Sequence, residues 1–388
     1  MGIIDRYLLR QFVQTFVICF LSLWGLYVIF DLFTNLEEFL QAAEKTGNLW
    51  RLIGEFYGYQ AIAFFDRTSG LLALISAMAT LAWLERHNEL TALMAAGISK
   101  LRIAAPVVAA SVVVTLLAVV NRETLIPRHR QQLARKTTDL LGDRPQVMAP
   151  SYDTRTKILF RGAATYSNQQ RIEKPDLLLP PGLDEYGPTL TAENAFYQPA
   201  NAGQPAGYLL QGVRQPAGLD HRASLWQEGL PVVITPRDAP AWLRPGECFV
   251  VSDLTFEQLA GGVAWRQYAS TAELIQGLRS KGLEFGADVR VAIHSRLVQP
   301  LLDLTLLFLG LPLVLRREMR NVFWALGTCL VLVAVFMVVV FACQYLGSIY
   351  LVSPSLAAWM PLMVFVPSAV VLSEPLWERT HRRRLRPA

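Results

Sequence analysis

The 388-residue sequence has few cysteines, and their positions argue against a disulfide scaffold. They are Cys19, Cys248, Cys329 and Cys343. Only Cys248 lies in the polar middle of the chain, so no disulfide can form within that part. The sequence also has no CxxC and no other spacing typical of a metal site. We therefore expect no bound metal.

Motifs for catalysis and nucleotide binding are also missing. The sequence has no GxxxxGK[ST] loop, no HExxH and no GxSxG, and its five histidines are scattered. No nucleophile–base pair appears. We therefore expect neither an enzyme nor a cofactor of its own, and any use of ATP would require a partner that binds it.

Charge is scarce, because charged residues make up 17% of the chain and hydrophobic residues 53%. This composition is more apolar than that of a typical soluble domain. The net charge of +5 would suggest nucleic acid if the basic residues clustered on a soluble domain. They cluster at the ends of apolar runs instead. We therefore expect a membrane protein with no nucleic-acid partner.

Long apolar stretches lie at both ends of the chain. A membrane-spanning helix needs roughly 20 mostly apolar residues. The stretches that qualify are about 11–33, 61–84, 102–121, 297–315, 322–345 and 356–373. The first is too long for the apolar core of a signal peptide, and its candidate cleavage point lies too far beyond it. The sequence therefore predicts six spans.

Lysine and arginine are distributed unequally between the two sides of these spans. One side has Arg6, Arg10, Arg86, Lys100, Arg102, Arg316, Arg317, Arg320, Arg379, Arg382, Arg383, Arg384 and Arg386. The short loops of the other side have only Lys45, Arg51 and Arg67. Because short cytoplasmic loops carry the excess of positive charge, we predict that both termini are cytoplasmic and that the long middle segment lies outside.

The middle segment, from about Glu123 to Arg296, is rich in proline and glycine and contains short β-type runs. These runs are KILFRGAATY, TLTAENAFYQ, GYLLQGV, LPVVITP and ECFVVSD. Their spacing and the turn residues between them predict a small all-β sandwich or roll. A helix should follow at STAELIQGLRSKG, with a capping box of Ser270 and Glu273 and a stop at Gly282.

The segment WLERHNELTALMAAGISKLR, residues 83–102, lies between the second and third spans and predicts a short amphipathic helix. Its apolar stripe, at helical spacing, consists of Leu90, Leu93, Met94 and Gly97. The polar residues at its start are Glu85, Arg86 and Glu89. Gly97 suits the left-handed conformation that ends a helix, and Ser99 can cap the next one. Two interpretations stay open: a connector in the lipid interface, or a coupling helix that docks on a cytoplasmic motor.

The same segment, LERHNELTALMAAGISKLRI, resembles the motif between spans two and three of LptF/LptG permeases, the membrane subunits of the lipopolysaccharide exporter. Its matching residues are Glu85, Glu89, Leu90, Ala95, Gly97 and Ser99. DRYLLRQF, IPRHRQQLAR, STAELIQGLRSKG and IHSRLVQPL resemble further segments of that family in the same order, and Arg296 and Pro300 mark the last of them. The resemblance covers nearly the whole chain.

The resemblance implies an α-helical transmembrane fold of six spans with an inserted periplasmic, β-jelly-roll-like domain. Residues 1–122 would contain spans one to three, with the coupling helix at about 85–97. The β-domain would comprise 123–268, and 269–296 a connecting helix and the re-entry into the membrane. Residues 297–388 would contain spans four to six and a basic cytoplasmic tail.

The resemblance also implies an ATP-driven exporter in the bacterial inner membrane. Two six-span subunits would pair around a lipid-sized cavity and sit on a cytoplasmic ABC ATPase dimer, which the helix at 85–97 contacts. The cavity would take lipopolysaccharide from the outer leaflet and pass it to periplasmic jelly-roll proteins. The resemblance leaves open whether the chain is F-like or G-like and whether it pairs with itself.

Charged residues at the outer ends of the spans are candidates for contact with the lipid headgroup, because charges near membrane depth are costly and often functional. The candidates are Arg67 at span two, Arg290, His294 and Arg296 at span four, and Asp31 at span one, and Pro300 joins them as an uncharged residue of the family motif at span four. The alternative is interfacial anchoring, or a local pair such as Asp66 with Arg67. Asp31 departs from the family, which often has a basic residue there, and a carboxylate would repel phosphate.

Two other functions therefore stay open. The chain could be a permease of the same fold for another lipid or a lipoprotein. It could also be a non-transporting, membrane-anchored assembly protein whose β-domain binds a partner. A rigid cytoplasmic helix argues against the second, because a simple anchor does not need one.

Overall fold

The structure is a computed structural model. It describes residues 2–135, 137, 145–148, 150–180, 186–201, 204–227, 229–239, 241–279, 287–315 and 322–384. The predicted helix stop and part of the basic flanks lie outside these residues, namely Gly282, Arg316, Arg317, Arg320 and Arg386. The chain divides into two compact units. The first comprises Met1–Thr34, Gly54–Arg128 and Gly286–Ala388, and the second Asn35–Ile53 and His129–Phe285.

Six helices in the described part of the chain are long and apolar enough to cross a membrane, as the sequence predicts. They are α1 (Ile3–Thr34), α3 (Leu49–Arg86), α5 (Lys100–Val120), α10 (Ala287–Leu315), α11 (Val322–Ser348) and α12 (Pro354–Arg384). A π-helical turn (Asn121–Leu125) and α6 (Ile126–Arg128) continue α5. Several helices extend beyond the predicted apolar windows, because backbone hydrogen bonding continues where the apolar side chains stop.

The shorter helices are α2 (Leu36–Thr46), α4 (Glu89–Ala95), α7 (Arg130–Ala134), α8 (Phe256–Tyr268) and α9 (Thr271–Arg279).

The first unit has one apolar core that the spans share. It includes Leu8, Phe12, Leu81, Leu90, Ile103, Val298, Leu306, Phe336 and Phe365. Small residues let α3 and α10 approach closely, as is common between membrane helices. A Cβ atom added at Gly70 would lie 2.4 Å from an oxygen of Asp303, and one at Gly310 would lie 2.5 Å from the side chain of Leu74.

The inserted all-β region is confirmed and belongs to the second unit. Its strands are β1 (Ser151–Asp153), β2 (Ile158–Arg161), β3 (Ala164–Tyr166), β4 (Arg171–Glu173), β5 (Asp176–Leu178), β6 (Thr189–Thr191), β7 (Asn194–Gln198), β8 (Gly207–Gln211), β9 (Leu225–Gln227), β10 (Leu230–Ile234) and β11 (Glu247–Val251). All pairs are antiparallel. They form a four-stranded sheet, β1-β2-β5-β6, and a seven-stranded sheet, β3-β4-β7-β8-β11-β10-β9.

The two sheets share a core of alternating apolar residues. Phe160 of the smaller sheet and Tyr208 of the larger one lie with ring centroids 5.3 Å apart. The Tyr208 hydroxyl is buried and donates a hydrogen bond of 2.9 Å to the carbonyl of Leu254. Burial holds the pKa of this phenol well above its ordinary value. The aromatic pair therefore joins the sheets without leaving the hydroxyl unsatisfied.

Two capped helices follow the last strand. The predicted capping box is confirmed at the start of α9, where Ser270 and Glu273 exchange hydrogen bonds of 2.8 and 3.1 Å. The helix α8, by contrast, lies within the range 123–268 that the sequence assigned to strands. Thr255 and Gln258 form its capping box, with hydrogen bonds of 2.9 and 3.4 Å. The pattern gave little indication of α8, because two adjacent glycines lower its helix propensity.

Candidate coupling helix and charged span ends

The turn between α3 and α4 divides the predicted helix at 85–97 in two. Asn88 has a φ of 58°, and α4 begins after it and has seven residues. Glu85 and Arg86 therefore belong to the last turn of α3, and their assignment to the start of the short helix was wrong. The cause is local, since a left-handed residue ends the helical hydrogen-bond pattern and a carboxamide tolerates this conformation better than most side chains.

The apolar stripe of α4 faces the core of the first unit. Leu90 is buried, and Leu93 and Met94 are half-buried and pack against the same core. The opposite face is exposed and consists of small side chains, including Ala92 and Ala95. The helix is therefore attached to the membrane unit by its predicted stripe and presents a smooth outer surface.

Gly97 ends this segment as the sequence predicts, with a φ of 86°. Its N–H donates to the carbonyl of Met94 at 3.0 Å, and the N–H of Ile98 donates to the carbonyl of Leu93 at 3.1 Å. A Cβ at Gly97 would meet nothing within 4 Å, so the backbone conformation rather than space requires glycine. The Ser99 hydroxyl then accepts from the N–H of Arg102 at 3.3 Å and caps α5, as predicted. The segment is consequently well defined at both ends.

Near the middle of α3, the structure pairs Asp66 with a residue just beyond the end of α5 that the sequence analysis did not name. The Nε of Arg122 donates to both carboxylate oxygens of Asp66, at 3.0 and 3.1 Å. Arg67 is exposed. The hydrogen-bonded partner of Asp66 therefore lies on another span, and Arg67 contributes only a weaker electrostatic interaction.

Arg122 lies in the π-helical turn, which also places Asn121 against α3. The Asn121 side chain donates to the carbonyl of Ile62 at 2.9 Å. A π-turn inserts one extra residue per turn and redirects the side chains around it, and such turns are frequent at functional sites. Sequence periodicity alone could not indicate the pair, because it assumes a regular helix.

Arg296, a candidate on span four, interacts electrostatically with both members of this pair. It is half-buried, and its electrostatic neighbours include Arg122, Glu123 and Asp66. His294 is also half-buried, whereas Arg290 is exposed. The structure thus brings two of the four predicted basic residues, Arg296 and Arg67, into the electrostatic surroundings of Asp66.

A family model described as lipopolysaccharide export system permease LptF/LptG matches residues 6–182 and 184–374. The chain belongs to the LptF/LptG family. A search of curated proteins found no match. Membership identifies the chain as a permease component of lipopolysaccharide export and a multi-pass inner-membrane protein, and not as an enzyme.

Asp31 of this LptF/LptG chain is bound within the protein. The Tyr57 hydroxyl donates to its carboxylate at 2.7 Å and joins α1 to α3. Pro300 lies inside α10. Among the described residues, no group of three or more His, Cys, Asp or Glu side chains could hold a metal ion.

Asp303 is a further charged residue of this LptF/LptG membrane unit that the sequence analysis missed. Its carboxylate lies against Gly70 of α3 and accepts from the side chain of Gln299 at 2.9 Å. The available signal was an aspartate within the apolar run LLDLTLLFLG, well inside the predicted fourth span.

Proposed function

We propose that this LptF/LptG chain is the membrane subunit of an ATP-driven exporter. In this proposal it extracts lipopolysaccharide from the outer leaflet of the inner membrane, and a partner ABC ATPase dimer hydrolyses the ATP. The chain itself needs no cofactor. Both termini are cytoplasmic, the β-domain is periplasmic, and a second six-span subunit completes the cavity.

The observation that carries the proposal is the way α4 is attached. A connector that rests in the lipid interface would turn its apolar face toward lipid. The apolar face of α4 packs on the protein core instead, with Leu90 only 4% exposed. Its outer face has small side chains, which would let a partner approach the helix backbone closely. The sharp turns at Asn88 and Gly97 and the inward packing make α4 suitable for transmitting a force from an ATPase into the spans.

The test is purification of the tagged chain from its native membrane in mild detergent, with co-purifying proteins and lipids identified by mass spectrometry. We expect an ATPase with a P-loop, a six-span partner and bound lipopolysaccharide. The variant Ala92→Trp adds bulk to the exposed face and should abolish ATPase binding. Gln41→Trp, on the exposed face of α2, is the matched control and should retain it.

Equal ATPase recovery with Ala92→Trp and Gln41→Trp would contradict docking on α4. A stable preparation of the unaltered chain that contains no ATPase would instead favour a membrane-anchored assembly protein. Recovery of an ATPase with a different lipid or a lipoprotein would keep the mechanism and change the substrate.

We further propose that the charged span ends contact the lipid headgroup, with Arg296 as the main cation. Arg122 already donates a hydrogen bond to Asp66, and Asp31 already accepts one from Tyr57. Arg296 has neighbours of both signs of charge, so a phosphate that binds it competes with Glu123 and Asp66. Arg67, Arg290 and His294 would add weaker contacts at the rim.

This lipid contact predicts that Arg296→Glu weakens capture of lipopolysaccharide without loss of the ATPase. Photocrosslinking of lipopolysaccharide to the purified complex measures capture. Arg290→Glu on the same helix makes the same charge change and should weaken capture less, because Arg290 adds only a contact at the rim. Equal crosslinking to the Arg296→Glu and unaltered complexes would count against the assignment.

Two further surfaces support the proposed partners. The spans α1 and α11 expose large apolar residues along their length, including Val17, Leu21, Val331 and Val335, which suits lipid or a second subunit. In the β-domain the edges at β3 and β6 are partly paired with Gln146 and Gln215, whereas β1 and β9 are the outermost strands at the other ends of their sheets. Unpaired backbone groups at such edges can add a strand from a similar periplasmic domain.

A further inference from the structure

The start of α1 contacts both the short helix α4 and the start of α5. The Tyr7 hydroxyl donates to the two carboxylate oxygens of Glu89 at 3.0 and 3.3 Å. The Arg102 guanidinium donates to the carboxylate of Asp5 at 2.9 Å. The residues of these two contacts lie 82 and 97 positions apart in the sequence. Neither follows from the order of the elements along the chain.

Apolar packing reinforces the same contact. Leu8 and Phe12 are the only buried residues of α1, and they belong to the core that contains Leu90 of α4 and Ile103 of α5. At its other end α1 is tied to α3 by the hydrogen bond from Tyr57 to Asp31. The attachment of α1 near α4 is therefore concentrated in its first three turns.

The chain connects α4 covalently to α3 and α5 but not to α1. The chain joins α4 directly to α3 and α5, so a displacement of α4 must act on both of those helices. The helix α1 has no such connection and can follow α4 only through non-covalent contacts. Glu89 is the sole charged residue of α4, and Tyr7 engages its carboxylate from the side of α1.

We infer that Tyr7 is a positioning residue that makes α1 follow the movement of α4, with the Asp5–Arg102 pair as a second link. This inference rests on the proposed function, because it requires α4 to receive a force from the ATPase. The hydrogen bond to Glu89 transmits a displacement of α4 to span one.

A purely stabilising role is a poor explanation of these contacts. Tyr7 is 41% exposed and the Arg102 side chain 63% exposed. Exposed hydrogen bonds and ion pairs contribute little to folding stability. We infer that these contacts serve to orient the helices. The Tyr7 hydroxyl contacts both carboxylate oxygens of Glu89, and this contact fixes the position of α1 relative to α4.

The test uses the complete complex of the chain, its ATPase and its second subunit in proteoliposomes, with fluorescently labelled lipopolysaccharide as the probe. Tyr7→Phe keeps the ring and removes the hydroxyl. We expect about a tenfold loss of lipid moved per ATP hydrolysed, the factor that corresponds to one lost hydrogen bond to a charged acceptor. ATPase recovery and the unfolding midpoint should not change.

The control variant is Tyr345→Phe. Tyr345 is 66% exposed on α11, and its hydroxyl has no hydrogen-bond partner among the residues that the structure describes. This variant should behave like the unaltered chain. In a Glu89→Gln background Tyr7→Phe should have a smaller effect, because the two side chains act through the same contact.

A distance measurement tests the movement itself. Spin labels at Leu26 of α1 and Val113 of α5, both exposed, report the separation of the two spans before and after a non-hydrolysable ATP analogue is added. We expect a shift in the unaltered complex that Tyr7→Phe abolishes. The absence of any shift in the unaltered complex, or an equal shift in Tyr7→Phe, would overturn the inference.

The transport result separates this inference from the proposed function. Normal transport per ATP by Tyr7→Phe, together with loss of the ATPase in Ala92→Trp, would overturn the role of Tyr7 and leave docking on α4 intact. A complex from which no ATPase can be recovered would overturn both.

Discussion

The ion pair between Asp66 and Arg122 allows a quantitative prediction for the membrane unit. The change is Arg122→Gln, which keeps much of the side-chain length and removes the charge. The two side chains are only 13% and 19% exposed, so Asp66 would remain largely buried without its partner. Removal of one member of a buried pair costs about 3–5 kcal/mol of unfolding free energy.

Two features of the structure reduce this cost. Both side chains retain some exposure, and Arg296 lies near enough to Asp66 to replace part of the lost interaction. We therefore expect Arg122→Gln to lower the unfolding free energy by about 2–3 kcal/mol, below the range for a fully buried pair. Asp66→Asn combined with Arg122→Gln should cost less than the sum of the single changes, with a coupling of about 1–3 kcal/mol.

Reversible unfolding of the full chain in mixed micelles measures these values. Arg67→Gln is the matched control, because it removes the exposed neighbouring arginine of Asp66. Its effect should stay within about 0.5 kcal/mol, as is usual for surface changes. A larger loss for Arg67→Gln than for Arg122→Gln would refute the pairing and restore the local pair of Asp66 with Arg67.

Two other predictions concern packing and pH. Gly70→Ala places a Cβ 2.4 Å from a carboxylate oxygen of α10 and should lower the unfolding free energy by about 1–3 kcal/mol, whereas Gly58→Ala, with nothing within 4 Å, should be neutral or slightly stabilising in the same assay. In the β-domain, hydrogen bonds from the N–H and hydroxyl of Ser224 lower the pKa of Asp238. Because the folded-state pKa lies below the unfolded value, the stability from this contact is present above about pH 4 and is lost as the pH falls through the folded pKa. Asp238→Asn should therefore be less stable than the unaltered chain at pH 7, and this difference should shrink at pH 3; an equal difference at both pH values would contradict the linkage.

Most of the fold followed from local patterns in the sequence. Apolar runs of about 20 residues can satisfy their backbone only as helices in a membrane, so six spans were predictable. Gly97, Ser99 and the capping box of Ser270 and Glu273 act within four residues, and the structure confirms all of them. The strands β1, β4, β5 and β9 escaped prediction, because each has three residues and, unlike β3 and β6, lies outside the longer β-type runs.

The sequence by itself determined the six spans, the β-insertion and the end of the short helix at Gly97, and its motifs resemble those of the LptF/LptG family. These features depend on composition, periodicity and local capping, which a single chain displays directly. Only the tertiary structure decided which charges meet. Arg122 reaches Asp66 across 56 residues through a π-turn, and Tyr7 reaches Glu89 across 82. No local pattern encodes such pairs, because they depend on how the spans pack and on which face each helix turns toward its neighbour.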